Sequence, residues 1–245
     1  MGKITVVGIG TGNLDEMTPR ARRAIEDAEV VAGYNTYIKL IEKILGGKKI
    51  IGRAMMQEVE RCRLAIEESL SGKNVAVVSS GDAGIYGMAG LVAEMILNLP
   101  EDKRPQFEVI AGVSAVNGAA AILGAPLMND FAVISLSDLM TPFEVIKRRV
   151  RAAAQGDFVI ALYNPKSKRR VTQLEEVQKI LLEYREKNTP VGIVTNAGRE
   201  GESKTISTLE NFTREEINMF SLVLIGNSQT FVKENFMLTP RGYSL

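Results

Sequence analysis

The chain has no histidine, no tryptophan and one cysteine among its 245 residues. The absence of histidine excludes His-based triads, imidazole general bases and the commonest zinc sites. A single thiol excludes an intrachain disulfide, and the helical spacing of Cys62 with Ile66 and Leu70 reads as core packing rather than as a nucleophile. The same scarcity leaves no evident donor set for zinc, an iron–sulfur cluster or haem, so no resident metal is expected. No segment reaches the roughly 18 apolar residues of a membrane span, so no membrane partner is expected. Aromatics make up 6% of the chain, too few to suggest a base-stacking platform for nucleic acid, and a net charge of +1 points neither way. Chemistry must therefore use carboxylate, hydroxyl, phenol, amine or backbone groups, or rest on positioning a reactive cofactor.

With 45% apolar residues the chain can bury one large core or two small ones. It reads as a soluble, cytoplasmic enzyme whose first residues, MGKITVVGIG, form a strand rather than a signal peptide. Strand-like runs alternate with helical patterns throughout, which indicates α/β architecture. Strands are expected at Lys3 to Val7, Val30 to Ala32, Lys49 to Ile51, Val75 to Ser79 and Phe107 to Ile110. Further strands are expected at Phe131 to Leu136, Phe158 to Tyr163, Val191 to Thr195, Lys204 to Thr208 and Leu222 to Ile225. Thr18 and Pro19 read as N-cap and first residue of a helix, and helices are also expected over Glu58 to Ser71, Met88 to Leu97 and Val171 to Glu186. Thr213-Arg214-Glu215-Glu216 matches a capping box. The small-residue run AVNGAAAILGAP suits a tightly packed helix ending near Gly124 and Pro126. A domain boundary is placed just after it, giving domains 1–128 and 129–245.

The densest signal is VAVVSSGDAGIYGMAG, Val75 to Gly90. A buried-strand run breaks at Ser79 into a loop with spaced glycines, which lets a ligand lie directly against backbone N–H and C=O groups. In open α/β sheets, small molecules bind at such strand ends. GIGTGN, Gly8 to Asn13, departs from the dinucleotide fingerprint. Asn13 stands where the last glycine is needed, the helix waits until Thr18, and VVAGYN offers no acid for a ribose. A tight turn, or a turn opening over a cleft, remains. Asp82 serves either as an anchor for cofactor hydroxyl or ammonium groups or as a cap for its own turn. Glu58 and Glu60 read as solvent-facing partners of Arg61 and Arg63, Tyr37 as core, and Tyr34 as a phenol that can face the cleft.

Four loops carry the constellation: GIGTGN, SSGDAGIYG at Ser79 to Gly87, AGVSAVNG at Ala111 to Gly118, and YNPKSKRR at Tyr163 to Arg170. In this order and spacing the first three, with VTNAGREGESKTISTL further on, resemble the S-adenosylmethionine-dependent tetrapyrrole methylases. Within that family, AGYNTYI, MMQEVERC, SSGDAGIYGMAG and NPKSKRR are most similar to the ring-contracting methyltransferases that act on carbon 17 of a precorrin-3-type ring in cobalamin synthesis. The resemblance implies two α/β domains with S-adenosylmethionine folded into the cleft between them, a precorrin or cobalt-precorrin substrate, and a homodimer. It implies cofactor contacts at Gly10, Thr11, Ser80, Gly81, Asp82, Ile85, Ser114 and Ala115, and at Asn164 and Ala197 in the second domain. The basic run Lys166, Lys168, Arg169 and Arg170 is expected to steer a polycarboxylate. Siroheme-type relatives carry a proton-accepting aspartate where Tyr34 stands, so that role is not transferred. Tyr34 is expected instead to orient the ring or donate a hydrogen bond. Other ring positions, a non-corrin acceptor and a nucleotide-binding module without turnover are the alternatives.

Overall fold

Continuous apolar runs make strands that are covered on both faces, and three such strands form the centre of the five-stranded sheet in the first half of the chain. A computed structural model describes residues 2–53 and 57–244. The chain divides into two compact units, Met1–Ala115 and Val116–Leu245.

In the first unit β1 (Lys3–Gly8), α1 (Pro19–Glu26), β2 (Val30–Tyr34), α2 (Asn35–Leu40), β3 (Lys49–Arg53), α3 (Glu58–Leu70), β4 (Val75–Ser79), α4 (Ala89–Leu97) and β5 (Gln106–Ile110) follow one another. The strands lie in the order β3-β2-β4-β1-β5, and every pairing is parallel. Strand periodicity sorts the side chains into two cores. Ile4, Val6, Val30, Val75 and Val77 pack with Cys62, Ala65, Ile66, Val92 and Ile96 of α3 and α4. Val7, Val31, Ala76 and Val78 face Ala21 and Ile25 of α1 and Ile41 beyond α2. Thr18 caps α1 as expected, its hydroxyl accepting from Ala21 N–H at 3.1 Å with Pro19 at the first helical position.

The second unit contains α5 (Ala115–Leu123) from Val116 onward, then β6 (Gly124–Ala125), β7 (Phe131–Ser135), α6 (Phe143–Gln155), β8 (Val159–Tyr163), α7 (Gln173–Leu181), β9 (Pro190–Thr195), β10 (Ser203–Thr208), β11 (Ser221–Ile225), β12 (Phe231–Lys233) and β13 (Phe236–Leu238). Its main sheet, β10-β9-β11-β8-β7, is mixed: β7 and β8 are parallel, and β11 runs against both β8 and β9. The carboxyl ends of β7, β8 and β9 therefore share one edge. Ile146, Val150, Leu174, Val177 and Leu181 of α6 and α7 cover one face of this sheet.

The observed division falls at the first residue of α5, whereas the sequence suggested a boundary near residue 128. The reason is packing. A Cβ on Gly192 of β9 would run into the Leu123 side chain, Lys204 Nζ donates to Ile122 O at 3.1 Å, and β6 pairs with β13. The Gly124–Pro126 signal marks the end of a helix rather than the end of a unit. The capping box at Thr213 is also corrected. The turn is a 3-10 helix, Phe212–Arg214, without a side-chain cap, and Thr213 Oγ1 donates to Gln178 Oε1 at 3.2 Å instead. The helix expected over Val171 to Glu186 is shorter, Gln173–Leu181. The hairpin β12–β13 had no sequence signal, because its strands are short and largely exposed. Among the described residues no helix is long and apolar enough to cross a membrane.

Candidate active site

The parallel sheet of the first unit brings the ends of β1, β4 and β5 side by side, and four glycines let their backbones touch. Gly10 and Gly81 form an isolated bridge, with Gly81 N–H donating to Gly10 O at 2.7 Å and Gly10 N–H to Gly81 O at 3.1 Å. Both have positive φ, 70° and 68°, conformations that glycine adopts without the Cβ penalty. A Cβ on Gly8 would stand 2.7 Å from both Gly112 N and Gly81 O. On Gly112 it would overlap Gly81 O and lie 2.6 Å from Gly8 O. The result is a backbone-lined cradle at the carboxyl edge.

Asp82 ties this cradle together. Its Oδ1 accepts from Gly84 N–H at 2.8 Å and Ile85 N–H at 3.2 Å, closing its own turn, while Oδ2 accepts from Gly112 N–H at 3.0 Å. Of the two roles open for Asp82 in the sequence, the structure shows the cap and adds a bond to the β5 loop. A carboxylate has about four lone-pair sites, so these three bonds leave room for one more donor. Thr11 is buried and its hydroxyl donates to a Glu16 carboxylate oxygen, which pins the first glycine turn. Gly81 faces the start of α5: its Cβ would be 3.4 Å from Ala115 N and 3.6 Å from Ser114 Cα. Ser114 is buried, Ser80 half-buried and Ile85 exposed. The first-unit positions Gly10, Thr11, Ser80, Gly81, Asp82, Ile85, Ser114 and Ala115 thus lie on adjoining loops of one sheet edge.

Tyr34 ends β2 at that same edge, half-buried, with its ring edge-on to Tyr37 at 5.2 Å between centroids. Tyr37, expected in the core, is half-buried and packs against the α1 side of the sheet. Cys62 is buried as expected, and burial pushes its thiol up to about 11, which makes it a poor nucleophile. The Met55–Met56 part of the MMQEVERC motif lies outside the described residues.

In the second unit Asn164 takes a positive φ of 52° directly after β8, and its amide donates to Ser135 Oγ at 2.9 Å. Ala197 sits in the β9–β10 turn, where Arg199 N–H bonds to Asn196 O at 2.9 Å. Both positions lie at the edge shared by β7, β8 and β9. The basic run divides. Lys168 and Arg169 are exposed and Lys166 half-buried, whereas Arg170 is buried, with Nη1 3.9 Å from Asp138 Oδ1. Ser167 sets this turn, its hydroxyl accepting from Arg169 N–H at 3.3 Å and Arg170 N–H at 3.1 Å. Among the described residues no group of three or more His, Cys, Asp or Glu side chains is placed to hold a metal.

Comparison with known proteins bears on this loop set. The family model for tetrapyrrole (corrin/porphyrin) methylases matches residues 3–213. The chain belongs to this family. It is 48% identical over 99% of its length to a cobalt-factor III methyltransferase of Priestia megaterium, spanning 45% of that longer protein. It is 47% identical to a probable cobalt-factor III C(17)-methyltransferase of Salmonella typhimurium, covering 99% of this chain and 100% of the relative. Among solved structures, the methyltransferase CobJ superposes with a TM-score of 0.89 at 33% identity, over 98% of this chain and 100% of that one. The tetrapyrrole methylase assignment accounts for the four loop motifs found in register.

Sequence reasoning missed several of the residues that build the site. In the first unit Glu16 holds Thr11, and Gly8 and Gly112 complete the cradle. In the second unit, taken by itself, Tyr163 Oη accepts from Val116 N–H at 3.0 Å in the first turn of α5. The reading of QEVER is corrected in part. Arg63 is exposed and pairs with Glu60 at 2.7 Å, but Arg61 is only 3% exposed. A helical spacing signal existed, since the buried residues of α3 are Arg61, Cys62, Ala65, Ile66 and Ser69, one stripe of a 3.6-residue period.

Proposed function

We propose that this tetrapyrrole methylase transfers a methyl group from S-adenosylmethionine to carbon 17 of a cobalt-factor III or precorrin-3-type ring, with ring contraction, in cobalamin synthesis. The observation that carries the proposal is the match, end to end, with the probable C(17)-methyltransferase of Salmonella typhimurium at 47% identity. The cradle fits a sulfonium cofactor for physical reasons. Such a cofactor supplies its own leaving group and charge, so the protein needs close backbone approach, a few polar anchors and a fixed angle of attack. Gly8, Gly10, Gly81 and Gly112 give the close approach, and Asp82 and Thr11 hold the loops that give the angle. The C–S bond breaks as a ring carbon forms the new C–C bond, leaving S-adenosylhomocysteine.

Ser80, Ile85, Ser114 and Ala115 line the cofactor in this reading, and Asn164 and Ala197 supply contacts from the second unit. Lys166, Lys168 and Arg169 meet peripheral carboxylates of the macrocycle, and Arg170 stiffens their turn through Asp138. Tyr34 donates a hydrogen bond that orients the ring, the phenol O–H being a donor. The family resemblance further supports a cytoplasmic homodimer, which sedimentation velocity checks.

The deciding experiment incubates the protein with methyl-labelled S-adenosylmethionine and cobalt-factor III, then locates the label by NMR. Label on carbon 17 of a contracted ring is expected, and label elsewhere or none overturns the proposal. In a parallel arm Tyr34→Phe should lower turnover with little change in cofactor affinity; full rate there would leave Tyr34 as a packing residue.

A further inference from the structure

Arg61 is the one guanidinium of the first unit that the described residues leave buried without a matching anion. The residue is 3% exposed, and neither Nε nor Nη1 has a hydrogen-bond partner. Its Nη2 reaches only Met88 Sδ, at 3.6 Å, and a thioether is a weak acceptor. Burying a charge costs several kcal/mol unless it is paired, so a native protein rarely keeps such a group without a use for it. Neighbouring carboxylates on the helix are turned to other tasks or other faces. Glu60 is exposed and bonded to Arg63, and Glu58, one turn before Arg61, is half-buried with an interaction of its own.

Its location points to the ligand. Because β3 is parallel to the rest of the sheet, α3, which follows it, begins at the carboxyl edge where the glycine cradle lies. Arg61 is in the first turn of α3, where the orphan N–H groups and the helix dipole add to its attraction for an anion. Met88, which touches it, comes directly after Gly87 of the Ser79–Gly87 loop and is itself half-buried. A methionine side chain has three rotatable bonds, so its displacement exposes the guanidinium toward that loop.

We propose that Arg61 binds a ligand carboxylate at the carboxyl edge of the first unit, with Met88 as the side chain that yields to admit it. The inference rests on the proposed function, because the ligands of that reaction supply the carboxylate: the periphery of the tetrapyrrole or the amino-acid end of S-adenosylmethionine. The planar guanidinium binds a carboxylate bidentately through Nη2 together with Nε or Nη1, so the fork is complete once Met88 leaves Nη2.

Arg61→Met tests this on the full chain, read by calorimetric titration with S-adenosylmethionine, decarboxylated S-adenosylmethionine and the octacarboxylate uroporphyrin III, together with ligand-free thermal melting. Removing an unpaired buried charge should leave the melting temperature unchanged or raised, while affinity for one carboxylate ligand falls roughly 30-fold. If the cofactor supplies the carboxylate, Arg61→Met and the parent bind the decarboxylated form equally. If the macrocycle does, only uroporphyrin binding falls. Arg61→Lys should recover part of the loss, because it keeps the charge without the fork. A melting temperature several degrees lower in Arg61→Met, or unchanged affinity for all three ligands, overturns the proposal and leaves the function standing. Failure of the parent to bind S-adenosylmethionine overturns the proposed function and this inference with it.

Discussion

Asp82→Asn separates the two duties that a carboxylate in a cofactor loop can have. Asparagine is nearly the same size but offers one acceptor oxygen and one NH2 donor. With the oxygen kept toward Gly84 and Ile85, the NH2 group confronts Gly112 N–H, now 3.0 Å from the aspartate oxygen, as donor against donor. The flipped amide rescues Gly112 but loses both turn bonds at 2.8 and 3.2 Å. The cheaper choice forfeits one charge-assisted bond, worth about 1.5–3 kcal/mol, and weakens two others. Asp82 is only half-buried, which places the cost near the lower end, about 2 kcal/mol. For a chain of this length that is a fall of about 4–8 °C in melting temperature. The measurement is differential scanning calorimetry without ligand, followed by titration with S-adenosylhomocysteine. A ligand-free melting point equal to the parent's, with affinity lost, would show that Asp82 is an anchor for the cofactor and that the clamp is energetically idle. Unchanged stability and unchanged affinity would refute both duties.

Four further outcomes follow from the same geometry. Gly112→Ala should destabilise the first unit by about 3 kcal/mol or more in urea denaturation, since its Cβ meets backbone that cannot rotate away, whereas Gly81→Val should leave the protein folded and abolish cofactor binding through its φ of 68° and the bulk added near Ala115; calorimetry with intact affinity for Gly81→Val would remove this loop from the site. Alanine at Lys166, Lys168 and Arg169, with Arg170 retained, should weaken uroporphyrin III far more than S-adenosylhomocysteine, by an amount that shrinks at high salt, and equal losses for both ligands would contradict the steering role. For Cys62 the folded thiol has its pKa raised to about 11 from 9.0, so the folded state holds a proton that the unfolded state releases; this contributes stability in full below pH 9 and loses it as pH climbs toward 11. Comparing parent with Cys62→Ala in urea midpoints should show the parent's stability falling more steeply across that window, and parallel curves would contradict the assigned burial.

What could be read from the sequence was whatever depends on neighbours along the chain. The apolar runs of β1 and β4, the Thr18–Pro19 start and the glycine spacing after Ser79 are local signals, and each element formed where its pattern predicted. What escaped was set by partners far away in sequence. Gly8 and Gly112 have no room for a Cβ because each closes on the other and on Gly81 O, a fact of sheet order and not of any one motif. The second duty of Asp82 escaped for the same reason, because nothing in GDAG reveals that Gly112, thirty residues on, donates to its second oxygen.

The two misread arginines failed for different reasons. For Arg170 the basic run NPKSKRR implied four equivalent cations facing a polycarboxylate, and only the turn set by Ser167, which carries the side chain toward Asp138, shows that this one is buried. No periodicity in the loop could have revealed it. For Arg61 the periodicity was present, since residues 61, 62, 65, 66 and 69 fall on one helical stripe, but the habit of placing charge on the solvent face outweighed it. A charged residue on an otherwise buried stripe breaks the pattern that makes the helix pack, and that break is itself information. It costs stability wherever no anion answers it. At the carboxyl edge of a parallel sheet, beside a glycine loop, the economical explanation is a ligand that brings the missing charge.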